Sequence, residues 1–236
     1  MIFKKFGVLE FMNAETGVSN SNAHHEKITI SAGSLSLDGE LVIPPLAAAG
    51  LIIFAHGSGS SRFSQRNQHV AQMLQEAGLA TLLFDLLTED EEILDATTRH
   101  LRFDINLLAD RLRQASKAMS QNEQARNLKI AFFGASTGGA AALVAAAALG
   151  ARVAAVVSRG GRPDLAGTAL SSVLAPTLLI VGGRDEAVMD LNREAYQKLR
   201  CEKQLKIIPG ATHLFEEPGT LDQVARESTE WFVSHF

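Results

Sequence analysis

Cysteine occurs once, at Cys201, so an internal disulfide is impossible and no cysteine cluster can hold a zinc ion. Basic charge is also scarce: 22 Lys+Arg stand against 26 Asp+Glu, for a net charge of −4 and a pI near 6.0. The cations are spread along the chain, which leaves no basic field for a nucleic-acid backbone, and nucleic acid is not expected as a partner. No apolar run reaches the length that spans a bilayer. The opening MIFKKFGVLEFMNAETG lacks the continuous apolar stretch and small-residue cleavage site of a secretory signal. These absences predict a cytoplasmic protein without membrane attachment, whose fold is held by its core alone.

That core is well supplied, since 46% of the 236 residues are hydrophobic. Apolar runs of strand length recur: LIIFAH from Leu51, LATLLFD from Leu79, KIAFFG from Lys129, VAAVV from Val153, TLLIVGG from Thr177 and LKIIPG from Leu205. They are continuous rather than alternating, as parallel strands covered on both faces should be. By contrast, residues 27–44 alternate and carry Asp38-Gly39, which predicts an antiparallel opening hairpin turning at that dipeptide. Helical patterns fall over residues 65–78, 96–120, 137–149, 188–199 and 221–236. Strands alternating with helices predict a mostly parallel, doubly wound α/β sheet in a single domain over residues 27–236. Residues 1–26 show no clear period and read as an N-terminal arm. The oligomeric state is not legible.

Two glycine-rich chemistries are missing as well. In FFGASTGGAAALV (residues 132–144), Gly139 is followed by alanines, where a phosphate-binding P-loop needs Lys-Ser/Thr. Neither this segment nor HGSGSSR (residues 56–62) supplies the G-x-G-x-x-G of a dinucleotide site. What is present is G-x-S-x-G at residues 134–138, between an apolar strand and an alanine-rich helix. A serine on so sharp a turn projects its hydroxyl from the sheet, and only small residues fit two positions before and after it. Ser136 is therefore the candidate nucleophile, with the Thr137 N–H as one oxyanion donor.

A serine nucleophile needs a base and an orienting carboxylate, which on this architecture follow in the order Ser, acid, His. Only His213 and His235 follow Ser136, and His213, just past the last strand in IPGATHLF, is the candidate base. Asp185 in IVGGRDEAV is the candidate acid; Glu186 and Asp190 are its neighbours and Asp164 in SRGGRPDLAG is the reserve. Ser58, in the glycine-rich loop after LIIFAH, is the candidate second oxyanion donor. His56 reads as a support for that loop, and Asp85 as structural. Arg62 and Arg159, with Arg162 beside them, are candidates for binding an anionic substrate group, against the plainer reading of ion-paired surface arginines. Neither metal nor organic cofactor is expected.

Together these residues resemble the α/β-hydrolase fold, in its dienelactone hydrolase-like branch, from about residue 28 to the end. SRGGRPDLAG, APTLLIVGGRDEAV and IPGATHLFEEPG resemble hydrolase domains sometimes fused behind phosphoribosyltransferases. The resemblance implies Ser136 as nucleophile, Asp185 as acid and His213 as base. Dienelactone hydrolases carry cysteine in the elbow; serine here favours general ester hydrolysis. With only residues 160–176 between two strands, no cap domain is expected, so the substrate should be a small or short-acyl ester. A thioesterase or peptidase would share the triad, and a non-catalytic ligand-binding protein could share the scaffold.

Overall fold

The computed structural model describes residues 23–45 and 48–236. Eight strands form one sheet: β1 (His24–Ala32), β2 (Leu35–Ile43), β3 (Leu51–Ala55), β4 (Ala80–Phe84), β5 (Ile130–Ala135), β6 (Val153–Arg159), β7 (Thr177–Gly182) and β8 (Lys203–Ile208). Their order across the sheet is β1-β2-β4-β3-β5-β6-β7-β8, antiparallel at β1-β2-β4 and parallel from there on. The doubly wound sheet with an antiparallel opening hairpin is as expected. The predicted arm falls almost wholly on residues outside the described ones, and β1 already starts at His24.

The hairpin turn lies elsewhere than expected. Asp38-Gly39 sits inside β2, where Ile28 pairs with Gly39, and the chain reverses at Gly33, whose φ of 68° suits glycine. Gly39 serves a close approach instead: a Cβ there would stand 3.0 Å from Phe84 Cβ on β4. A turn dipeptide was thus a packing residue.

Among the described residues six α-helices flank the sheet: α1 (Gln65–Glu76), α2 (Glu89–Thr98), α3 (Ile105–Met119), α4 (Thr137–Leu149), α5 (Glu186–Lys198) and α6 (Thr220–His235). Strand side chains alternate between two cores. Ile53 and Phe132 pack with α3, α4 and α5 through Leu108, Leu112, Ala141 and Ala195, while Ile52, Phe54 and Phe133 pack with α1 and α6 through Val70, Leu74, Val224 and Phe232. Truncating one of the fully buried phenylalanines to alanine would cost roughly 3–5 kcal/mol.

The single helix expected over residues 96–120 is two. Arg99 takes a left-handed φ of 56°, and the buried Asp95 carboxylate accepts the Leu101 and Arg102 N–H groups at 2.7 and 3.2 Å, bending the chain before Asp104 caps α3. Most of α2, residues 89–95, was missed. Its acidic sequence shows little apolar period, and it is started by a capping box between Thr88 and Glu91. Between β6 and β7 the chain makes only 3-10 turns over Pro163–Ser172, broken at Gly167, so this connection inserts no cap domain. Among the described residues no helix is long and apolar enough to cross a membrane.

Candidate active site

The turn after β5 holds Ser136 at φ 50° and ψ −120°, a conformation costly for a residue with a Cβ. Three backbone hydrogen bonds keep it there. The Ser136 N–H donates to the Arg159 carbonyl at 3.2 Å, and the Ser136 carbonyl accepts from Gly139 and Arg162, each at 3.0 Å. The flanking glycines are demanded by space: a Cβ on Gly134 would collide with the Gly138 backbone, and one on Gly138 with the Ala55 carbonyl. The hydroxyl of Ser136 caps nothing, although the residue occupies the N-cap of α4.

His213 lies in the loop after β8. Gly182, at the end of β7, lets that loop approach, since a Cβ there would stand 2.5 Å from the Ala211 carbonyl oxygen. Asp185 occupies the N-cap of α5, a position where aspartate usually binds its own helix, yet its carboxylate makes no capping bond. Instead His213 Nδ1 donates to Asp185 Oδ2 at 2.6 Å. That bond fixes the tautomer with Nε2 as the free acceptor. It is the imidazole's one hydrogen bond among the described residues. Ser136 and His213 both line a cavity of about 200 Å³, together with Gly57, Ser58 and Arg159.

The glycine-rich loop after β3 reaches the same place. The Ser58 and Thr137 hydroxyls share a hydrogen bond at 3.0 Å, and Gly57 passes so near that a Cβ would stand 3.1 Å from Ser136 Cβ. At the first position of α4 the Thr137 amide has no intrahelical acceptor. His56 anchors the loop from below: its Nδ1 donates to the Gly57 carbonyl and its Nε2 accepts the Leu86 N–H, both at 3.0 Å. Burial holds this imidazole's pKa below its ordinary value, partly offset by the Gly57 bond. The support role expected of His56 fits this geometry. Beyond the Ser58–Thr137 pair lies a second cavity, of about 300 Å³, lined by Leu86, Leu108, Glu92 and Arg102 among others. Burial raises the Glu92 carboxyl above its usual range, against the nearby Arg102.

The remaining candidates separate cleanly. Asp164 is held by Arg162 in two bonds of 2.9 and 2.7 Å. Arg62 is committed to Asp85, with its own N–H on Oδ1 at 2.8 Å and its guanidinium on Oδ2. It lines neither cavity. Asp190 pairs with Arg193 at 2.9 Å, and Glu186 is exposed on the first turn of α5. His235 bonds the Trp231 carbonyl on its own helix at 2.6 Å. Arg159 is buried in the wall beside Ser136. Arg66, from the first turn of α1, lines the same cavity and was not singled out from the sequence, where nothing but its distance from the HGSGSS loop marks it.

Residues 48–234 match the family described as Alpha/beta hydrolase domain. The chain is 51% identical over 226 residues to proteins of two Mycobacterium tuberculosis strains provisionally named phosphoribosyl transferases. The match covers 94% of this chain and 50% of theirs, so the chain spans about half the length of these curated relatives. Among solved structures, a dienelactone hydrolase from Anabaena variabilis is 56% identical with a TM-score of 0.89, over 91% of this chain and 99% of that one. Est1E from Butyrivibrio proteoclasticus shares the fold at 18% identity and a TM-score of 0.74, covering 89% and 98% of the two chains. The chain belongs to the alpha/beta hydrolase family, in its dienelactone hydrolase-like branch.

Proposed function

We propose that this hydrolase cleaves small or short-acyl carboxylic esters by acyl transfer through Ser136, His213 and Asp185. The observation that carries the reading is the 2.6 Å bond from His213 Nδ1 to Asp185, which leaves Nε2 unbonded on a residue that lines the same cavity as Ser136. In the first step Ser136 Oγ bonds to the ester carbonyl carbon as its proton passes to His213 Nε2. The carbonyl oxygen becomes an oxyanion, held by the Ser58 and Thr137 N–H groups. The carbon–oxygen bond to the alcohol then breaks, and the imidazolium returns its proton to the leaving oxygen. Water attacks the acyl-enzyme by the same route, regenerating the serine and releasing the acid. Asp185 stabilises the imidazolium and keeps Nδ1 protonated.

The transferase name of the Mycobacterium tuberculosis relatives is carried by proteins twice as long, of which this chain matches one half. An open site without a cap favours short acyl groups, and the lone cysteine accords with a cytoplasmic setting. A panel of activated esters of graded acyl length, assayed on wild type and Ser136→Ala, tests the proposal. Turnover should fall in the variant by several orders of magnitude with the fold intact; equal turnover in both would remove it.

A further inference from the structure

The Ser58 and Thr137 side chains meet at 3.0 Å although 79 positions separate them. Thr137 opens α4 and is only 2% exposed, and among the described residues Ser58 is the one partner of its hydroxyl. A buried hydroxyl places its proton on an acceptor, so Thr137 Oγ1 donates and Ser58 Oγ accepts. The Ser58 proton is left for the Arg102 carbonyl, at a long 3.5 Å. Arg102 is held in turn by the buried Asp95: its Nε donates to the carboxylate, its Nη2 to the Asp95 carbonyl at 3.2 Å and its N–H to Oδ1 at 3.2 Å. A line of polar contacts thus runs from the last turn of α2 through the 3-10 turn Leu101–Phe103 to the loop after β3, and from there to α4. The helix α2 itself contributes no side chain to the cavity of Ser136 and His213.

The loop has little else to bind it to α4. Gly57 and Gly59 flank Ser58, Gly59 takes a left-handed φ of 67°, and Ser58 is exposed. The Gly57 carbonyl accepts the Ser60 N–H at 3.2 Å and His56 Nδ1 at 3.0 Å, and both contacts stay within the loop's own stretch. Among the described residues the hydroxyl pair is this loop's one hydrogen bond to α4. A neutral bond at the edge of solvent adds little to the stability of a whole domain. It matters more for placement. Glycine on both sides widens the conformations open to the Ser58 amide, and donors around a developing charge must be held to within about 0.5 Å. Ser58 and Thr137 also supply the N–H groups that the esterase reading assigns to the oxyanion.

We propose that the Ser58–Thr137 hydroxyl bond is a positioning tie, which fixes the spacing of the two N–H donors through the side chains of the residues that carry them. The inference rests on the serine-esterase reading for what the amides hold, but not for the tie itself. Both hydroxyls act through the backbone beside them, and neither has to touch the substrate.

Two sets of measurements test it on Ser58→Ala, Thr137→Val, their double variant and Thr137→Ser. The valine keeps the shape and the amide of Thr137 and removes its hydroxyl; the serine keeps the hydroxyl. With 4-nitrophenyl butyrate, kcat should fall roughly ten-fold in Ser58→Ala and in Thr137→Val while KM stays within about two-fold. The double variant should be no slower than the slower single one, because both changes remove the same bond. Thr137→Ser should stay within about three-fold of wild type. Urea unfolding reads the tie without substrate: the midpoint shift of the double variant should differ from the sum of the single shifts. A kcat that Thr137→Val leaves unchanged, losses that multiply in the double variant, or a Thr137→Ser as slow as Thr137→Val overturns the proposal. Should Ser58→Ala fail to fold, the contrast of Thr137→Val with Thr137→Ser decides it. Coupled unfolding midpoints in a wild-type chain that hydrolyses no ester would keep the tie and sink the esterase reading. Hydrolysis that needs Ser136 but is indifferent to Thr137→Val would do the reverse.

Discussion

His213 Nδ1 and Asp185 Oδ2 meet at 2.6 Å across 28 positions of chain, although Asp185 stands at a helix start where its carboxylate had a local use. Asp185→Asn keeps the shape and removes the charge that holds Nδ1 protonated. On the proposed mechanism, kcat should fall by roughly three to four orders of magnitude. Asp164→Asn, which loosens only Arg162, should change kcat far less. Parallel ester assays on the two variants decide between the two carboxylates.

The elbow makes a separate prediction about stability. A methyl group on Gly138 would run into the Ala55 carbonyl, and neither backbone can retreat without breaking the β3–β5 pairing. Gly138→Ala should destabilise the fold by on the order of 4 kcal/mol. Gly33→Ala is the comparison: nothing lies within 4 Å of a Cβ there, and only the left-handed φ of 68° is strained. It should cost about 1–2 kcal/mol. Urea unfolding of both variants gives the numbers.

His56 predicts a pH dependence. The buried ring is neutral, with Nδ1 donating and Nε2 accepting, and its folded pKa lies below the ordinary 6.5. The unfolded chain therefore takes up the proton first as pH falls. The stabilisation from this group is complete above pH 6.5 and is lost as the pH drops from there towards the folded pKa. His56→Gln should remove that part of the slope and cost about 1–3 kcal/mol at neutral pH, since the Gly57 or Leu86 partner is left unpaired. Unfolding curves between pH 5 and 8 on both proteins provide the check.

Substrate length follows from the connection between β6 and β7. Its 3-10 turns insert no cap domain there, and the two cavities are about 200 and 300 Å³. Acetate to butyrate esters should exceed laurate and longer esters in kcat/KM by at least about ten-fold. A preference for long chains would contradict the short-acyl reading.

Much of the sheet was legible because buried parallel strands leave continuous apolar runs, and the residues of the candidate triad because chain order and the tight serine turn constrain them. Distance in space was not. Asp38-Gly39 has the composition of a turn, but the reason for Gly39 is Phe84, on another strand. The acidic run of α2 carries no periodic face; its start depends on the reciprocal Thr88–Glu91 bonds. Arg62 and Arg159 look alike in sequence, and only the fold gives one a carboxylate and leaves the other buried with no carboxylate partner among the described residues. Arg66 enters the cavity because α1 starts beside Ser136, a fact of topology rather than of motif.

The most direct test of the central claim is chemical. A fluorophosphonate probe followed by intact-mass and peptide mapping should attach once per chain, at Ser136, with no adduct on Ser136→Ala and sharply reduced labelling of His213→Ala. A folded wild-type chain that hydrolyses esters yet carries the adduct elsewhere, or none at all, would contradict the account.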